Sequence, residues 1–210
     1  MTTLTAQELR ERDPKRFDRE YYKWLEYACD HKWWDFIEDH FKESVAEAGV
    51  TVKEIGFNIA HSQGDYARFA GTIQVHEWMD ANKQGDQTYA EKYPALRLAA
   101  EDYGEYAKVK QGYYSRNTAR VNLDGNLIGN TFPDGIFANL DPDAWDALVE
   151  EQYFSSGLEE AMQSYVDDLC NELYSDLREG YEGMTSEDAF IDSCECNEIT
   201  FETELEEEAS

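Results

Sequence analysis

His61, Ser62 and Asp65 fall within one five-residue run, His61-Ser62-Gln63-Gly64-Asp65. These are the side-chain types of nucleophilic acyl transfer: a base, a hydroxyl and an orienting carboxylate. The spacing argues against that use. The imidazole must sit between nucleophile and carboxylate, so triad residues usually come from separate elements. The same five residues make good turn chemistry, because glycine tolerates positive φ and Ser or Asp bonds its own backbone. No catalytic residue is assigned, and the run stands as a loop site for a small enzyme or ligand-binding module.

Metal chemistry tests poorly. Asn122-Leu123-Asp124-Gly125-Asn126 starts like a calcium loop, but Leu127 stands where the turn glycine is needed and Pro133 where the bidentate Glu is needed. Cys194 and Cys196 lack the second pair of a structural zinc site. No H-E-x-x-H, Walker or G-x-G-x-x-G motif occurs, so no metal and no cofactor is expected.

Charge is the stronger signal. The chain has 46 acidic and 18 basic residues, a net −28. Residues 141–210 hold 23 of the acids and one base, Arg178, leaving 23 acids and 17 bases in residues 1–140. An ordinary soluble surface mixes both signs. A protein that grips phosphates needs a basic stripe, and none is visible along the chain, so direct nucleic-acid or anionic-membrane binding is not expected. A basic protein surface is the natural complement. With 14 Tyr, 10 Phe and 5 Trp, the chain has the apolar area to fold against its own repulsion. Stability should then rise with salt. The N-terminus is polar and no 18-residue apolar run exists, which points to the cytoplasm and reduced thiols for Cys29, Cys170, Cys194 and Cys196.

The acids need elements to hold them. Leu158, Met162, Tyr165, Val166, Leu169, Leu173 and Leu177 recur at helical spacing, predicting a helix over about 158–178 closed by Gly180. Glu160, Asp167, Asp168, Glu172, Asp176 and Glu179 then lie largely on its other side, where they could act as phosphate surrogates. Upstream, Thr5-Ala6-Gln7-Glu8 fits a capping box for a helix over 6–12. Aromatic stripes predict helices over 16–30 and 32–48, the second with Trp33, Phe36, Ile37, Phe41, Val45 and Ala48 inward and Gly49 as its cap.

After Gly49 the period changes to two. Ile55–Ile59 and Phe69–Val75 predict a hairpin around the His61–Asp65 loop, and 106–114 with 118–123 a second. Residues 79–88 read as a polar loop and 94–103 as a short helix. Asp124-Gly125 reads as a turn opening a further arm at 126–128, residues 129–142 as a long loop, and 143–150 as helix. Thr185–Ser193 reads as helix and Ile199–Phe201 as an edge strand. The expected fold is α+β: an antiparallel sheet of two hairpins plus an edge strand, packed with N-terminal helices and a long acidic C-terminal helix. The expected organisation is a scaffold over 1–140 carrying an acidic helical region over 141–210.

Trp33-Trp34-Asp35, Ile55-Gly56-Phe57, Ser62-Gln63-Gly64-Asp65 and Phe69-Ala70-Gly71 together resemble a family of small phage and prophage proteins. That family carries a pattern of the form W-W-x…G-[IV]…S-Q-G-D-G-A-x-F-x-G. Tyr66 departs from it, standing where the family has glycine. The resemblance implies phage origin and action in the host cytoplasm. With the charge, it leads to an expected function: a non-enzymatic inhibitor of anti-restriction or anti-CRISPR type. By DNA mimicry it would occupy the basic nucleic-acid-binding surface of a host defence protein. A host RNA polymerase inhibitor, an assembly protein and a homodimer stay open beside it.

Overall fold

A computed structural model describes residues 3–28, 32–59, 64–102, 104–112, 117–123, 151 and 155–203. The fold is α+β, and the described residues form two compact units. One comprises the two chain ends, to residue 35 and from residue 178; the other is Phe36–Leu177. The expected boundary at 140, the turn at Asp124-Gly125, the loop over 129–142 and the helix over 143–150 lie outside the described residues.

The unit of the chain ends is built on aromatics. β1 (Thr3–Leu4) leads into α1 (Ala6–Arg12), whose capping box forms as expected: Glu8 N–H donates to Thr5 Oγ1, and Thr5 N–H donates to the Glu8 carboxylate. Pro14 opens α2 (Pro14–Ala28), since its fixed φ suits a first helical turn. Phe17, Tyr21 and Trp24 on α2 meet Phe190 of α8 (Glu187–Cys196), the Phe17 and Phe190 ring centroids lying 5.4 Å apart. Their polar ends are satisfied: Tyr21 Oη donates to the Thr185 carbonyl at 2.5 Å and Trp24 Nε1 to Ser193 Oγ at 3.3 Å.

The expected edge strand forms as β8 (Phe201–Glu202), but it does not extend the main sheet. It pairs with β1, Leu4 opposite Phe201, so that both side chains enter this aromatic cluster.

The second unit is a four-stranded antiparallel sheet in the order β2 (Val50–Asn58), β3 (Tyr66–Gln74), β6 (Tyr106–Gln111), β7 (Ala119–Leu123). Both expected hairpins are present. α3 (Asp35–Ala46) enters β2 through Gly49, whose φ of +73° ends the helix as anticipated. Phe41 and Val45 of α3 are buried, with Phe41 edge-on to Phe69 at 5.5 Å. Phe36, expected in the same stripe, is 80% exposed. It lies in the first turn of α3, ahead of the positions that reach the core.

Residues 79–88 are not a polar loop. α4 (Val75–Ala81) buries Val75, Trp78 and Met79, and a tight hairpin of β4 (Lys83–Gln84) and β5 (Gln87–Thr88) follows, turning at Gly85 with φ +72°. Burial of Trp78, 1% exposed, outweighs the polar residues around it. α5 (Tyr89–Lys92) and α6 (Pro94–Asp102) return the chain to β6.

The acidic helix, α7, runs from Ser155 to Met184. It starts at Ser155, ahead of the expected Leu158, and passes through Gly180, expected to close it, and Gly183. Glycine costs a helix interior about 1 kcal/mol. Packing of the flanking residues overrides that cost here, Tyr181 setting its ring 5.8 Å from Trp33.

Candidate functional site

The apolar stripe of α7 is confirmed residue by residue. Leu158, Met162, Val166, Leu169, Leu173 and Leu177 are buried, and Tyr165, half-buried, meets Trp78 at 6.0 Å. Cys170, not anticipated in the stripe, is buried among them within hydrogen-bond reach of the Phe69 and Ala119 backbone. Burial pushes its thiol up to about 12, so it stays a neutral packing group. Gln163 anchors the helix to the sheet edge. Its Oε1 accepts from Val121 N–H at 2.9 Å and its Nε2 donates to the Ala119 carbonyl at 2.6 Å. Those two groups are the open edge of β7, so the glutamine occupies hydrogen bonds that another strand would otherwise seek.

The six expected acids separate into two sets. Glu160, Asp168, Glu172 and Glu179 are exposed, while Asp167 and Asp176 are half-buried. Asp167 accepts from Gln163 Nε2 at 3.1 Å, and burial, helped by nearby Asp168, raises its carboxyl above the ordinary range. It belongs to the anchor more than to the outer face. The base of this region, Arg178, bonds Glu182 at 2.7 Å. Along the axis, Glu160 to Glu179 spans about 28 Å at 1.5 Å per residue. Four carboxylates over that length give one per roughly 9 Å, well below the one charge per 1.7 Å of duplex DNA. The face suits discrete ion pairs and is too sparse to trace a duplex.

Of the hairpin-loop residues, His61, Ser62 and Gln63 lie outside the described residues. Gly64 and Asp65 are described, and the Gly64 carbonyl accepts from Asn58 Nδ2 at 3.4 Å.

The structure brings together one group of residues that the sequence reading missed. In β3, Ala67, Phe69, Gly71 and Ile73 are buried, so Tyr66, Arg68, Ala70, Thr72 and Gln74 occupy the other face. In β6 the same alternation turns Tyr106, Lys108 and Lys110 outward, and in β7 it turns out Arg120 and Asn122. β2 adds Lys53 at a bulge between Val52 and Glu54. Five cations from four strands therefore share one sheet face in a chain of net −28. Glu54, opposite Ala70, is the acid those strands place among them.

Lys110 pairs directly across from Arg120, an arrangement of like charges that destabilises a sheet. Among the described residues Lys53, Lys110 and Arg120 form no ion pair. Arg68 donates to the Gly112 carbonyl at 2.6 Å and lies 4.3 Å from the Tyr66 ring centroid. An open groove of about 450 Å³ crosses this face, with Lys53 on one side, Tyr106, Lys108 and Lys110 on the other, and Ala70 and Thr72 between.

Two glycines permit close approach within this sheet. A Cβ on Gly71 would stand 2.0 Å from the Thr51 carbonyl oxygen, and one on Gly56 would stand 3.0 Å from the Gln111 amide. The basic face had a signal in the sequence: the polar positions of the two hairpins, summed separately, are basic. Summing along the chain concealed it.

Among the described residues no group of three or more His, Cys, Asp or Glu side chains could hold a metal ion. No described helix is long and apolar enough to cross a membrane.

Residues 33–187 match the model of the family described as Domain of unknown function (DUF8835), and the chain belongs to that family. No curated protein and no solved structure matches the chain.

Proposed function

We propose that this DUF8835 member is a non-enzymatic binding protein. The outer face of α7 docks on a basic surface of a partner protein, of the kind that otherwise holds nucleic acid. The observation that carries the reading is the exposure of Glu160, Asp168, Glu172 and Glu179 on a helix fixed by a continuous buried stripe. Among the described residues these acids have no neutralising partner, so a cationic surface gains ion pairs while ordering little. Their spacing favours a limited set of ion pairs over imitation of a continuous duplex. The resemblance to phage proteins gives the reading its setting: an inhibitor acting in the host cytoplasm on a defence nuclease or effector.

The test is capture from bacterial lysate on the immobilised chain at 50 and 300 mM NaCl, against a variant carrying Glu160→Lys, Asp168→Lys and Glu172→Lys. The expected result is one or a few nucleic-acid-binding proteins retained at low salt, released at high salt, displaced by added duplex DNA and absent from the variant. Equal capture by both chains would remove α7 from the interaction.

A further inference from the structure

We propose that the outer face of the four-stranded sheet binds single-stranded nucleic acid. This rests on the sheet alone and is independent of the α7 reading.

Four observations carry it. Local charge is reversed: Lys53, Arg68, Lys108, Lys110 and Arg120 face outward with Glu54 as the strands' own acid among them. The Lys110–Arg120 pair is mutually repulsive, and an anion between the two converts that repulsion into attraction. Tyr106, 41% exposed, stands at the rim of the groove with Lys108 Nζ 5.8 Å from its ring centroid. Ala70 and Thr72 leave the ground between the two basic rims low, so a base can approach the Tyr106 ring. A cationic groove with an exposed aromatic is the combination that single strands use, with phosphates on the cations and bases on the rings. A duplex keeps its bases stacked away from such a ring. An acidic peptide would use the lysines and leave the tyrosine without a role.

The net charge of the chain does not forbid this. In this unit Glu160, Asp168 and Glu172 are exposed on α7, outside the buried stripe by which the helix packs. At physiological salt the screening length is about 8 Å. Whole-chain charge slows approach, while the contact itself is set by the local cations.

The experiment is fluorescence anisotropy of the full chain with labelled twelve-nucleotide oligo-dT and oligo-U, from 50 to 300 mM NaCl. Binding is expected at low salt, with log K falling against log salt at a slope of about −2 to −3 for three or four phosphates. The Lys53→Glu, Lys110→Glu double variant should lose at least thirtyfold. Tyr106→Ala should lose about tenfold with the slope unchanged, Tyr106→Phe should bind as the parent does, and Glu195→Lys, at an exposed acid of the other unit, should have little effect. Circular dichroism of each variant confirms the fold, and all the altered residues are exposed. No binding at 50 mM NaCl, or binding undiminished in the double variant, overturns the proposal. So does displacement of the oligonucleotide by polyglutamate at equal charge, which would make the face a protein-docking surface. Concentration-dependent self-association that depends on Lys53 and Lys110, without oligonucleotide binding, overturns it as well.

Discussion

The outer face of α7 and the outer face of the sheet carry opposite charge, and the difference lies in how each is assembled. The helix draws its acids from one stretch of sequence, spaced by the helical repeat. The sheet draws its cations from Lys53 to Arg120, across four strands and two hairpins. A contiguous charged face can be read along the chain. A composite one exists only once strands are in register. Net charge described the first and concealed the second.

Both faces depend on the core that α7 and the sheet share. Leu173→Ala, at a fully buried position, should cost about 3 kcal/mol and lower the urea midpoint, loosening helix and sheet together. A shift under about 1 kcal/mol would mean that α7 is not fixed by its stripe. Next comes the sheet edge. Gln163→Leu removes the partners of Val121 N–H and the Ala119 carbonyl and should cost about 2 kcal/mol. With the edge open, light scattering should detect association that the parent chain does not show.

Charge reversal separates the faces more finely. Lys110→Glu replaces a repulsive cross-strand pair by an attractive one. It should raise stability by roughly 0.5 kcal/mol in thermal melts at low salt while weakening oligonucleotide binding, by less than the double variant does. Stability and binding falling together would mean that Lys110 is structural.

The smallest effect concerns Asp167. Its folded-state carboxyl sits above the ordinary range because it is buried, so the folded state holds the proton more tightly than the unfolded chain. Asp167 therefore disfavours folding above that raised value, and the penalty fades as pH falls towards the ordinary carboxyl range. Asp167→Asn keeps an acceptor for Gln163 and should add less than about 1 kcal/mol at pH 7, with no gain near pH 3. A gain that is constant across pH would place the cause elsewhere.

Where the chain's own neighbours decide conformation, the sequence was legible. The Thr5–Glu8 box, the Gly49 cap and the apolar period of α7 each act within a few residues, and each appears as read. Residues 79–88 read as a loop because their composition is polar, while burial of Met79 and of neighbouring Trp78 is decided by a core assembled elsewhere. Phe36 was misplaced for the complementary reason: periodicity gives a phase, and the partner surface decides which turns it reaches. Gly180 reads as a stop until Tyr181 finds Trp33.

The sequence by itself determined the α+β class, the two hairpins and the acidic helix, because dihedral preference and hydrophobic period are local. Tertiary structure alone decided that Phe201 pairs with Leu4, that Asp167 turns from surface acid to anchor, and that five cations converge on one sheet face. Each depends on contacts between residues far apart in the chain. Their register is set by total burial, which no local window contains.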